Sequence, residues 1–183
     1  IGLIKSKKVV YFLSGSGEPP TVMEGERNYG ALAEVLQNRA YEVKEHSLTS
    51  GDLPADANLV IAGSTPVAYS NVVENMLRRF LARGGKLILT INPYRDPGLS
   101  KLFSDIGIRI EPTLLIGNNG ATPLGVQLAQ VAPMRPPVVI GEFSRESPIT
   151  SVLSPRDIGL VDGARPLAAF EPTGEGALKV KST

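Results

Sequence analysis

An acid on a glycine turn is the residue of this sequence best placed to do chemistry. Glu18 closes the turn Gly15-Ser16-Gly17-Glu18, directly after the apolar run Val9 to Leu13. A carboxylate held at a strand end can accept hydrogen bonds, move a proton or grip a ligand hydroxyl. Two further polar stretches follow apolar runs in the same way, Ser64-Thr65-Pro66 and Asn92-Pro93. The candidate binding residues are therefore Gly15, Ser16, Gly17, Glu18, Ser64, Thr65, Pro66 and Asn92. The structural alternative for Glu18 is a carboxylate that accepts amide hydrogen bonds in its own turn or bonds the 64–66 loop.

The residue types around this turn argue against most reactions. Backbone amides after a strand can cradle a phosphate at a helix start, but Glu18 would sit beside that phosphate. The Gly-Lys-Ser/Thr of a phosphate loop is missing, and Pro20 stands where G-x-G-x-x-G needs its third glycine. Tyr69 and Tyr94 follow apolar runs where rings could sandwich a flavin, against the plainer reading of surface or packing tyrosines. There is no cysteine and no G-x-S-x-G, and the single histidine, His46, falls at the end of a half-polar strand, where it reads as a surface residue. A zinc site lacks ligands for the same reason. Glu24 and Glu26 lie in a loop that fixes no separation between them. The expectation is a non-catalytic binding domain with no cofactor and no metal.

The elements that must position these residues follow from periodicity. Val9 to Leu13 is continuously apolar, as suits a strand covered on both faces by helices. Tyr29, Leu32, Ala33 and Leu36 recur at helical spacing and predict a helix from about Glu26 to Arg39. Tyr41 to Leu48 alternates with charged residues and reads as an edge strand, whereas Asn58 to Gly63 is apolar throughout. Ser70 can cap a helix whose stripe is Val72, Val73, Met76, Leu77, Phe80 and Leu81, and Gly84-Gly85 stops it. Arg78, Arg79 and Arg83 in its last turns read as solvated complements of the helix dipole.

Lys86 to Ile91 predicts a fourth strand, about Gly98 to Asp105 a short helix, and Ile108 to Ile116 a fifth strand broken at Pro112. Such alternation argues a doubly wound α/β sheet of flavodoxin-like strand order second, first, third, fourth, fifth. The switch point then lies between strands one and three, where open parallel sheets place their binding crevice. Beyond Gly117 the regularity decays, with the turn signal Asn118-Asn119-Gly120 and a proline cluster at Pro133 to Pro137. Gly125 to Val131 is ambiguous between strand and helix; Pro137 to Ile140 and Arg165 to Phe170 fit short edge strands. The organisation expected is a core over 1–116 and a proline-rich, loop-rich extension over 117–183 packed on the same domain.

Composition bounds the rest. At 183 residues the chain can bury one full core. A formal net charge of +1 makes no electrostatic case for nucleic acid or an anionic membrane surface. No apolar run reaches the roughly 18 residues of a membrane span. The chain begins at Ile1 and ends on Lys181-Ser182-Thr183, so it is expected to be a soluble piece of a longer protein, with any membrane segments outside it.

Several stretches together resemble one family, the auxiliary components of uncharacterised ABC-type transport systems of the gliding-motility (GldG-like) group. Leu13 to Glu18 resembles its T-G-H-G-E turn, and Tyr29 to Tyr41 its L-x-x-x-L-x-x-x-G-Y helix and strand entry. Asn58 to Pro66, Phe80 to Leu89, Leu99 to Ile108 and Ser147-Pro148-Ile149-Thr150 match further motifs in order. Ser16 and Ser147 stand where the pattern shows histidines, so a histidine-dependent role at those positions is not expected. The resemblance implies a flavodoxin-like or class I glutamine-amidotransferase-like fold without the catalytic cysteine. It also implies an extracytoplasmic (periplasmic) domain, anchored by helices beyond this chain, that assists an ABC exporter through its permease and ATPase subunits and binds a ligand, glycan or partner loop. The alternative is a small-molecule-processing enzyme, amidotransferase-like or sugar-processing, that uses a carboxylate such as Glu18.

Overall fold

A computed structural model describes residues 7–115, 138–161 and 163–172. The chain forms two compact units, Ile1–Asp105 and Ile106–Thr183. In the first, strands β1 (Val9–Ser14), β2 (Glu42–Ser47), β3 (Ala57–Gly63) and β4 (Lys86–Thr90) make one parallel sheet in the order β2-β1-β3-β4. Helices α1 (Gly30–Asn38), α2 (Asn71–Ala82) and α3 (Ser100–Asp105) flank it. This is a flavodoxin-like three-layer α/β arrangement, and the strand order reverses between β1 and β3 as the sequence predicts. β1 is central because five consecutive residues, Val9 to Leu13, are buried. β2 lies at an edge because Glu42, Lys44 and Glu45 need water on at least one side.

Alternation along the strands divides the core between the two faces of the sheet. Val10, Phe12 and Ile61 pack with Ala33 of α1, and Tyr29, Leu36 and Leu59 close the edges of that cluster. Each large side chain so buried contributes about 1.5–3 kcal/mol of transfer free energy. α2 supplies buried Val73, Met76, Leu77 and Phe80, and α3 supplies Leu102 and Phe103. Its apolar stripe is rotated from the one expected. Val72 is 74% exposed, whereas Glu74 is only 2% exposed.

That carboxylate is buried because α3 gives it work. Glu74 Oε1 accepts the backbone N–H groups of Lys101 (2.7 Å) and Leu102 (3.1 Å), the otherwise orphaned donors of the first turn of α3. Ser70 caps α2 as expected, its Oγ accepting from the Val73 N–H at 3.5 Å. The three arginines are not merely solvated. Arg78 pairs with Asp105, Arg79 with Asp52, and Arg83 donates to the carbonyls of Leu53 (3.0 Å) and Pro54 (2.9 Å).

Three other expectations need correction. α1 begins at Gly30 rather than near Glu26, because Asn28 Oδ1 takes the Gly30 N–H (3.0 Å) and Gly25 adopts φ +72°, which holds the preceding residues as a turn. His46 is not on the surface: it is 6% exposed, its Nε2 lies 3.1 Å from the Gly51 carbonyl, and its ring meets Tyr11 edge-on. Nor does the fifth strand join the parallel sheet. β5 is only Ile108–Ile110 and pairs antiparallel with Leu167–Ala169 in the second unit. Its Ile-Arg-Ile pattern, with Arg109 exposed, suits a small two-stranded ribbon rather than a sheet covered on both faces.

The second unit has two such ribbons among its described residues. In chain order after β5 come β6 (Val138–Ile140), β7 (Gly159–Val161) and β8 (Leu167–Ala169). β6 pairs antiparallel with β7, and Leu115 bridges Ala164 beside the β5–β8 pair. β6 and β8 fall within the two short edge strands expected from sequence. The readings at Asn118-Asn119-Gly120, Gly125 to Val131 and Pro133 to Pro137 lie outside the described residues.

Candidate functional site

The turn after β1 takes its shape from two glycines in the left-handed region, Gly15 at φ +122° and Gly17 at φ +84°. A Cβ on Gly17 would come within 2.7 Å of the Pro66 ring, so the turn after β1 and the loop after β3 touch there. Glu18 ties them further. Its Oε2 accepts the Ser16 N–H at 2.7 Å and its Oε1 accepts the Tyr69 hydroxyl at 2.9 Å. The Tyr69 oxygen in turn accepts the Gly63 N–H at 2.9 Å. A relay of three hydrogen bonds thus joins the carboxyl ends of β1 and β3 at the switch point. Burial pushes the Tyr69 phenol well above its usual range, and the facing Glu18 carboxylate pushes it the same way.

The end of β4 is bound into this cluster by hydroxyls. Thr90 Oγ1 lies 2.9 Å from the Tyr29 hydroxyl and 3.0 Å from Ser64 Oγ. Arg27 donates to the Ser64 carbonyl at 2.8 Å, and Thr65 Oγ1 donates to the Val67 carbonyl at 2.6 Å. Ser64 itself holds φ +55°, a conformation a non-glycine residue keeps only where its surroundings impose it. The backbones of β3 and β4 approach so closely that a Cβ on Gly63 would stand 1.8 Å from the Thr90 carbonyl oxygen. Asn92 Oδ1 accepts the Tyr94 N–H at 2.9 Å and shapes the next turn.

All eight residues singled out in the sequence therefore lie at the carboxyl end of the sheet. Gly15 to Glu18 are linked to the 64–66 loop directly, and Asn92 lines a small cavity with Ser64, Thr65 and Tyr69. That cavity measures only about 10 Å³, room for roughly one water molecule. The surface can thus present hydroxyls and amides to something laid across it. Tyr69 does not offer its ring to a flavin, being 4% exposed with its hydroxyl engaged twice. Sequence reasoning missed the parts played by Tyr29, Tyr69 and Thr90. The legible signal was a tyrosine shortly after the strand's closing Gly63-Ser64, where a polar tip can reach back to the switch point. Among the described residues no cluster of three or more His, Asp or Glu side chains could hold a metal ion.

A parallel sheet reversing between β1 and β3, with its loops knit together at that reversal, defines a flavodoxin-like α/β domain. Residues 7–161 match the family described as ABC-type uncharacterized transport system, and the chain belongs to that family of auxiliary transport components. No curated protein matches it. Among solved structures, the mmIFT52 N-terminal domain is similar in fold, with a TM-score of 0.60 at 11% identity, covering 89% of this chain and 69% of that one. No helix among the described residues is long and apolar enough to cross a membrane.

Proposed function

We propose that this chain is the non-catalytic recognition domain of a membrane-anchored auxiliary subunit of an ABC-type transporter, acting on the extracytoplasmic (periplasmic) side. In this reading the carboxyl-end surface from Gly15 to Glu18, Ser64 to Pro66 and Asn92 receives a partner segment or glycan from the transporter assembly. The observation that carries it is the state of Glu18. The carboxylate on which an enzymatic reading depends has both oxygens held by protein donors, so it acts as a brace for the loops rather than as an acid or base. Membership of an auxiliary transport family supports the same reading. The gliding-motility grouping belongs to this proposal as well.

The test is affinity purification of the full-length gene product from detergent-solubilised membranes, with Ser16→Arg beside it. Ser16 is half-buried on the turn, so a long charged side chain there obstructs the surface while leaving the Glu18 brace in place. Co-purification of a permease and an ATPase, lost with Ser16→Arg, is the expected result. A protein recovered alone and free of membranes would overturn the assignment and favour a soluble enzyme.

A further inference from the structure

The amino ends of the same strands carry a second concavity, unused by the surface just described. A basin of about 420 Å³ opens there, with Leu59 and Tyr41 along its apolar wall, buried Val10 behind them, and Lys8, Arg83 and Lys86 around it. Its volume falls in the range of small-molecule sites, whereas a merely solvated charge patch needs no cavity. No carboxylate lines it, although the whole chain carries nearly equal numbers of acids and bases.

The backbone is specially arranged at this place. Val9 pairs with Ala57 and Val10 with Leu59, so Asn58 is an extra residue bulged out of β3. Bulges re-aim side chains and recur beside functional sites. Asn58 Oδ1 accepts the Val9 N–H at 2.8 Å. An N–H can only donate, so this bond fixes the amide orientation and leaves the Asn58 amino group with two donors and no protein partner among the described residues.

The cations are likewise uncompensated. Lys8 and Lys86 make no ion pair among the described residues. Arg83 meets only neutral groups, the carbonyls of Leu53 and Pro54 and the face of Phe80 at 5.3 Å. The nearby Asp56 is already engaged by Lys44 and Tyr11. The carboxyl end of α2 brings about half a negative charge to this end, which three full positive charges outweigh.

We propose that this basin is a binding site for a small organic anion, a carboxylate or phosphate on a compact apolar body. The charge sits among Lys8, Arg83, Lys86 and the Asn58 amino group, and the body lies against the half-buried Leu59 and Tyr41. The site is independent of the carboxyl-end surface and stands or falls separately from it.

The experiment is a titration of the whole 183-residue chain followed by backbone amide resonances, with phenyl phosphate, benzoate and the uncharged benzyl alcohol as probes. Saturable shifts at Asn58, Gly84 and Gly85 with the two anions, and none with the alcohol, are expected. The tighter anion identifies the charged group preferred. Removal of two exposed cations in Lys8→Ala/Lys86→Ala is expected to weaken binding about fivefold. Asn58→Asp keeps the acceptor for the Val9 N–H but adds a negative charge, and is expected to abolish binding while the rest of the spectrum is retained. Unmoved amides at saturating anion, equal shifts with benzyl alcohol, or affinities unchanged in both variants would each overturn the proposal.

Discussion

Tyr69 shows how a single side chain serves both stability and the shape of a surface. It satisfies the buried Gly63 N–H and restrains Glu18 at once. Tyr69→Phe removes both bonds with little loss of volume, and is expected to lower stability by about 1–3 kcal/mol because a buried donor is left unpaired. A denaturant melt measures it. The same residue predicts a pH dependence. Burial, then the Glu18 carboxylate, raise the folded-state phenol above the unfolded value of about 10, so the folded chain binds more protons than the unfolded one above that pH. The stability contributed by the neutral phenol is complete below about pH 10 and falls as pH rises through the folded value. Melting temperatures taken from pH 8 to 11 should therefore fall less steeply for Tyr69→Phe than for the parent. Glu18 was legible in the sequence as a carboxylate on a glycine turn, but its partner was not. A tyrosine that reaches across 51 positions in the chain leaves no local pattern.

At the scale of elements, apolar runs and turn residues marked four strands of the first unit and its helices. The faces were harder to read. The stripe through α2 suggested that Val72 points inward, yet Val72 is exposed and Glu74 is buried. Periodicity counts apolar residues and is blind to a carboxylate wanted inside by a neighbouring helix. α3 has only six residues, too few to be stable by itself, so the two bonds to Glu74 are a large part of what holds its first turn. Glu74→Ala is expected to cost about 1–3 kcal/mol, since it strips one buried and one partly buried amide of their acceptor. Glu74→Gln keeps an oxygen in place and should recover more than half of that loss, read by the same denaturant melts. Were alanine and glutamine equally damaging, the buried charge rather than the acceptor would be what α3 requires. The fifth strand misled for a related reason. Length and apolar content resemble those of a core strand until pairing is known, and Ile108–Ile110 pairs with Leu167–Ala169, 57 to 61 positions away, a stretch legible as an edge strand but not as its partner.

Taken whole, the molecule distributes its stability unevenly. The first unit has a parallel sheet buried on both sides at β1 and β3, whereas the described strands of the second unit are three residues long and half exposed. Amide hydrogen exchange should register the difference. Val10, Phe12, Val60 and Ile61 are expected to exchange slowest, and the amides of β5 to β8 orders of magnitude faster. Comparable protection in the two units would show that the ribbons draw more support from their surroundings than their own burial supplies. The doubly wound fold could be read from the sequence because buried parallel strands must be apolar along their whole length. Ribbons of three residues are too short to show a periodicity, so in the second unit only the stretches around β6 and β8 were legible, and not what they pair with.

The four strands of the sheet all run in one direction, so its two ends are chemically unlike: turns knit by Glu18 and Tyr69 at one, a basic hollow at the other. They are separated by the length of β1, about 20 Å for six extended residues. Substitutions so far apart, with no shared partners, change stability and binding additively. Changes can therefore accumulate at one end of the sheet while the other stays intact, and an engineer can alter the two in separate steps without rebuilding the strands between them.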